Sequence, residues 1–243
     1  MAQMQNSLRD NLHALLQTLD NAARQARRPS PRLLAVSKHQ PVTAVAEMAS
    51  AWRQERPGQV PAFGENYVQE AQAKVAAMAT NGTDSRVEWH LIGHLQSNKA
   101  ALAADLFDWV QTVDSVRLAT ALGRHRDPGR PPLNVLLQVN IDAEPGKHGC
   151  EPTDVPALAA GIAAQPRLAL RGLMAIPAPF PDPGRRRDAF ARMRVLFESL
   201  RADHPGVDTL SMGMSDDMDL AIAEGATMVR VGTALFGPRN PQP

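Results

Sequence analysis

A single cysteine, Cys150, stands in the chain. No disulfide can form within it, which excludes a cross-linked framework and fits a reducing compartment. No base is identifiable beside Cys150 in the segment HGC, and it reads as a bystander thiol. Neither sign of charge is in excess: 26 basic and 25 acidic side chains leave a formal net charge of +1. A nucleic-acid partner calls for a basic excess or stripe, so none is expected. The basic cluster RQARRPSPR (24–32) lies where a helix ends and reads as a solvated connector. No run approaches the roughly 18 apolar residues of a membrane span. The N-terminal MAQMQNSLRDNLHALL lacks the basic-then-apolar order of a secretion signal, so a cytoplasmic protein is expected. There is no HExxH or CxxC for a metal, no GxSxG for a serine hydrolase and no GxxxxGK[ST] for a nucleotide. His90 and His94 are four apart with Gly93 and a turn between them, and no metal is expected. The three tryptophans are scattered, and Trp89 and Trp109 read as strand packing.

What remains is a chain of 243 residues, 44% hydrophobic, enough for one sizeable core. Leu8, Leu12, Leu15, Leu16 and Leu19 have helical spacing, and Ser7 is placed to cap that helix. Eight short apolar runs follow: 32–38, 60–65, 88–93, 107–114, 134–140, 168–176, 208–214 and 228–233. Helical stretches separate them, the clearest at 42–54, 68–79, 154–164 and 188–203. The proline-rich PAPFPDPG (177–184) reads as a loop after the sixth strand. Eight β-α steps in this length predict an α/β fold, a (β/α)8 TIM barrel with an extra N-terminal helix. Residues 1–243 form one domain, with the extra helix and its connector in 1–31. An open doubly wound sheet stays as the alternative, because alternation does not prove closure.

In a barrel the chemistry collects at the C-terminal strand ends. The first strand, in LLAVSKHQP, delivers Lys38. The second delivers Glu65 and Asn66, the third His90, the fourth Asp114 and the fifth Asn140. The seventh runs through MGMSDD, where Ser215 is placed to cap a helix. The eighth runs through Gly232 into a turn opened by Thr233. Glycine beside a hydroxyl at a helix start presents free amides to a phosphate. The same residues also serve as ordinary strand-to-helix punctuation, and both readings stand. Asp216 and Asp217 suit a helix start but repel phosphate, so they are expected to point sideways. Arg230, in an apolar strand, is either half of a buried ion pair or a donor to a ligand. His90 is either a satisfied barrel histidine or a ligand contact. A lysine, a phosphate cradle and an arginine together fit a Schiff base with a phosphate-bearing aldehyde, pyridoxal 5′-phosphate (PLP).

The segments LLAVSKHQP, FGENYVQEAQAK, WHLIGHLQSNK, RGLMAIP and LSMGMSDDMDLAIAEGATMVRVGTALFG resemble the pyridoxal phosphate homeostasis protein family from about residue 32 to 238. The resemblance implies a barrel like the N-terminal domain of alanine racemase, with PLP as a Schiff base on Lys38. It implies Ser215, Gly232 and Thr233 at the phosphate with Met214 beside them, Arg230 near the pyridine nitrogen, and Asn66 and His90 near the ring. Lys147 and Gly149 keep the family's Lys-x-Gly pattern in DAEPGKHGC. A monomer that buffers PLP and hands it to apo PLP-dependent enzymes is expected, with Lys147 as a candidate transient site. The alternative is a PLP-dependent racemase or lyase. Related racemases draw a second catalytic tyrosine from a C-terminal domain. This sequence ends at 243 without one, and its single tyrosine is Tyr67. A lysine-dependent aldolase is a third option.

Overall fold

The computed structural model describes residues 7–80 and 86–237. Residues 1–6, part of the N-terminal reading above, lie outside the described residues. The chain opens with α1 (Leu8–Gln25). Then come β1 (Arg32–Val36), α2 (Val42–Glu55), β2 (Ala62–Glu65), α3 (Val68–Thr80), β3 (Glu88–Leu91) and α4 (Ala100–Leu106). The middle holds β4 (Trp109–Val113), α5 (Val116–His125), β5 (Leu133–Gln138) and α6 (Val155–Ala163). It ends with β6 (Leu168–Met174), α7 (Pro183–Asp203), β7 (Thr209–Ser211), α8 (Met218–Ala223), β8 (Met228–Val231) and α9 (Thr233–Phe236).

The strands pair in parallel in chain order, and β8 pairs back onto β1, with Leu34 opposite Arg230 and Ala35 opposite Val231. That last pairing closes the barrel and removes the open-sheet alternative. Both faces of each strand are covered, which is why the strands read as continuous apolar runs. In β1, Leu33 and Ala35 join the large core between sheet and helices, while Leu34 joins a small cluster with Ala62 and Met228. Alternation therefore puts Leu34 inside the barrel. Trp109, Leu136 and Met174 form a second interior cluster.

Helix α1 starts at a reciprocal cap. Ser7 Oγ accepts from the Asp10 amide at 3.2 Å, and the Asp10 carboxylate accepts from the Ser7 amide at 3.3 Å. It buries Leu12, Leu15, Leu16 and Leu19, each worth roughly 1.5–3 kcal/mol of gross apolar burial. It packs on α2, α8 and α9, and Asn11 Nδ2 donates to the Leu235 carbonyl at 3.0 Å. The extra helix thus lies across the seam where β8 meets β1.

Two expected boundaries move. Helix α7 begins at Pro183, inside the stretch read as a loop, because Asp182 accepts from the Gly184 amide at 2.9 Å and proline sits at the first helical turn. Helix α8 begins at Met218, and Ser215 does not cap it. Asp217 folds back instead, accepting from the Met214 amide at 2.7 Å and donating its own amide to the Met214 carbonyl at 3.2 Å. This tight turn delays the helix.

Candidate functional site

Lys38 follows β1 at the C-terminal mouth, its side chain partly buried. The peptides on either side of it are fixed. The Ser37 amide donates to the Gly64 carbonyl at 3.0 Å, and the buried Ser37 hydroxyl donates to Glu65 Oε1 at 2.6 Å. Lys74, on α3, donates from Nζ to the Ser37 carbonyl at 2.7 Å, to Glu65 Oε1 at 2.8 Å and to Glu70 Oε1 at 2.8 Å. Glu70 also accepts from the His39 amide at 2.5 Å, and His39 takes a left-handed backbone with φ 64°. Burial pushes the Glu65 carboxyl above its ordinary range, against the hydrogen bonds from Lys74 and Ser37. Its second oxygen is buried with no hydrogen-bond partner among the described residues. Burial also works to raise Glu70, but the bonds from Lys74 and the His39 amide outweigh it and hold Glu70 low. Lys74 is a feature sequence reading missed. Its only local signal is the i,i+4 spacing from Glu70.

Arg230 is 4% exposed, and among the described residues no carboxylate forms an ion pair with it, against the ion-pair alternative. Its guanidinium donates to Ser211 Oγ at 2.8 Å and to the Ala175 carbonyl at 2.9 Å. Burial lowers its pKa to about 10, partly offset by the charge of Asp217. The Ser211 hydroxyl donates in turn to Gln111 Oε1 at 2.7 Å. Gln111 Nε2 faces His90 Nδ1 at 2.9 Å and Met228 Sδ at 3.2 Å. His90 Nε2 lies 2.8 Å from Glu88 Oε1, which also accepts from Arg32 at 2.8 Å. His90 is fully buried, stacked on Trp109 at 5.1 Å, and both its nitrogens are engaged. Burial lowers its pKa against the pull of Glu88, which favours the neutral ring. His90 therefore meets the mouth through Gln111, Ser211 and Arg230. The last two strand-borne polar groups, Gln111 and Ser211, carried no sequence signal beyond being polar inside apolar runs.

Asn66 follows β2 and is partly buried. A side chain on Gly93 would overlap its backbone, so the ends of β2 and β3 are pressed together. The two glycine turns stand at the ends of β7 and β8. Gly213 has φ 91°, and Met214 beyond it is exposed. A Cβ on Gly232 would lie 3.2 Å from the Val36 carbonyl, which brings this turn against the end of β1, two residues before Lys38. Among the described residues the hydroxyls and amides of Ser215 and Thr233 make no hydrogen bond. Asp217 is turned back onto the Met214 amide, and Asp216 is exposed.

The loop after β5 is bracketed by Asn140, whose amide bonds the Glu144 carbonyl at 3.0 Å and the Glu144 amide at 3.1 Å. Lys147 in that loop is exposed and pairs with Glu144 at 2.6 Å. Buried Cys150, pushed up to about 12 by burial, is inert. The loops after β3, β4 and β5 bring His94, Asp114 and His148 together. The two imidazoles stack 3.6 Å apart, and one ligand atom of each residue lies within 4.8 Å of the others.

Residues 11–240 match the family described as alanine racemase, N-terminal domain. A pyridoxal phosphate homeostasis protein of Escherichia coli K12 is 47% identical over 238 residues, 96% of this chain and 98% of that protein. PipY of Synechococcus elongatus PCC7942, solved with PLP bound, superposes with a TM-score of 0.79 at 37% identity, covering 95% of this chain and 100% of its own. An alanine racemase of Corynebacterium glutamicum shares the fold at 18% identity, with a TM-score of 0.61 over 96% of this chain and 62% of its own. Among the described residues no helix is long and apolar enough to cross a membrane.

Proposed function

The chain belongs to the alanine racemase N-terminal domain family and, within it, to the pyridoxal phosphate homeostasis proteins, and from that membership we propose that it binds PLP and keeps its supply in balance by holding and releasing it. The observation that carries this reading is the convergence on one barrel mouth of an amine, a buried guanidinium and two turns where, among the described residues, the hydroxyls and amides of Ser215 and Thr233 have no partner. The residues present fit the cofactor. A phosphate takes donors that have no other partner, as at Ser215 and Thr233. Gly232 leaves open the space beside Val36 that a side chain would fill.

When bound, PLP supplies an aldehyde for condensation with an amine and a ring that withdraws electrons. Lys38 presents the amine on a backbone that cannot drift. Ser215, Gly232 and Thr233 would hold the phosphate, with Met214 beside them. Asn66 would orient the ring. Arg230 would lie near the pyridine nitrogen, and with a pKa of about 10 it stays charged at neutral pH. A guanidinium donates hydrogen bonds but does not readily give up its proton, so it leaves the ring a weak electron sink. That favours holding the cofactor over turning over amino acids. The protein acts as a monomer, and its recipients are apo forms of PLP-dependent enzymes.

Borohydride reduction of the PLP-loaded protein, followed by peptide mapping, tests the attachment. The adduct is expected on Lys38, and Lys38→Ala is expected to lose the visible absorbance band. An adduct on Lys74 or Lys147 in place of Lys38 in the unaltered protein overturns the assignment. Mixing loaded protein with an apo PLP enzyme, while following α-proton exchange on free amino acids, tests the role. Recovery of the recipient's activity supports it. Exchange of order 1 per second without transfer makes the protein a racemase or lyase instead.

A further inference from the structure

We propose that His94, Asp114 and His148 form a binding site for a divalent first-row transition metal ion on the rim of the barrel mouth. Three loops supply one ligand each, and the three ligand atoms already lie within 4.8 Å of one another. A metal with bonds of roughly 2.1 Å holds its ligand atoms roughly 3.4 Å apart, so closing the site takes only a further turn of side chains. Both histidines are exposed and have room to turn, and Asp114 is half-buried.

The three positions are held by the fold. The Thr112 hydroxyl donates to the Gly93 carbonyl at 2.9 Å, which fixes the peptide leading into His94. Asp114 directly follows the last residue of β4. Gln138 Nε2 donates to the His148 carbonyl at 3.2 Å, and the Cys150 amide donates to the Gln138 carbonyl at 2.9 Å. These bonds fold the end of the loop back along β5 and deliver His148 to His94. Gly149, with φ 119°, makes that return possible. These bonds fix the backbone that carries the ligands, and a site needs such support to keep its geometry. The side chains are also unspent. Among the described residues no hydrogen bond or ion pair engages either imidazole or the Asp114 carboxylate.

The donor set names the class of ion. Two imidazoles and one carboxylate suit Zn²⁺, Co²⁺, Ni²⁺ or Cu²⁺, whereas Ca²⁺ and Mg²⁺ take oxygen ligands. Three protein ligands leave at least one position for water or a small anion. The bound ion would tie the loop that carries Lys147 to the ends of β3 and β4. The site rests on residues apart from those assigned to PLP, so the two readings stand or fall separately.

The test is calorimetric titration of Zn²⁺ into the metal-stripped full chain, with and without PLP. One saturable equivalent is expected. His94→Ala and His148→Ala are each expected to weaken it at least tenfold, since even indirect partners of ligands cost about 10–100-fold. Asp114→Asn is expected to weaken it as well. His125→Ala, on α5 and exposed, is the control and is expected to bind like the unaltered chain. Far-UV circular dichroism checks that each variant is folded, as substitutions at exposed rim positions should be. Absence of saturable binding up to millimolar Zn²⁺ overturns the proposal. So does a His94→Ala/His148→Ala double variant that binds as the unaltered chain does.

Discussion

The two peptide groups flanking Lys38 are gripped by charged side chains of a neighbouring helix. Lys74 holds the Ser37 carbonyl and Glu70 holds the His39 amide. Removing Lys74 strands Glu65 in a site with no exposure. Breaking one partner of a buried ion pair costs about 3–5 kcal/mol. Lys74→Met is therefore expected to lose stability of that order in urea unfolding and to release bound PLP faster. Adding Glu65→Gln should recover part of the stability, because the stranded charge is then gone. Glu88 works at the other end of the barrel. Burial opposes its ionised form, but the bond to His90 and the charge of Arg32 lower its pKa from 4.5 to about 2. Its folded pKa is depressed, so its contribution is present above 4.5 and is lost as pH falls toward 2. That contribution is at most about 3 kcal/mol. Glu88→Gln is expected to be less stable at pH 7 and to lose less on going from pH 5 to pH 3. Urea midpoints at the two pH values check this.

At the scale of elements, β6 and β7 approach so closely that only glycine fits between them. Gly172 has φ 146°, and a Cβ there would overlap the Thr209 carbonyl. Gly172→Ala combines a disfavoured backbone with a backbone clash. It is expected to cost about 3 kcal/mol or more, read as a fall in the urea midpoint. Elements of this kind were legible to different degrees. The eight strands announced themselves as apolar runs, and Lys38, Asn66 and Asp114 stand just past the ends of β1, β2 and β4, where the sequence places them. The start of α7 was hidden because its first residues, PGRRRD, carry no apolar periodicity and follow a proline-rich loop. Lys74 was hidden because it sits on a helix, where strand-end reasoning does not look. His94, Asp114 and His148 belong to three separate loops, and metal motifs are read from local spacing. Gln111 and Ser211 are 100 residues apart, and only the closed barrel brings them to 2.7 Å.

At the scale of the molecule, closure does more than make a core. It threads polar side chains through the middle of the barrel, from Arg32 near the N-terminal end to Arg230 at the mouth. Both arginines can only donate. Arg230 therefore obliges Ser211 to pass its proton to Gln111 Oε1. The Gln111 amide must then face His90 Nδ1, and His90 must keep its proton on Nε2, toward Glu88. The interior thus has a grain, with every proton on the path from Arg230 to His90 pointing away from the cofactor mouth toward one carboxylate at the far end. A grain cannot be reversed at one point without a fault appearing beside it. Gln111→Glu places an acceptor on each side of His90, and the ring can satisfy both only by taking a second proton. The variant's His90 is expected to titrate at a higher pH than the native ring, by ¹⁵N chemical shifts of its two nitrogens. In the native barrel those shifts should report one proton, on Nε2, and should not change when the mouth is filled.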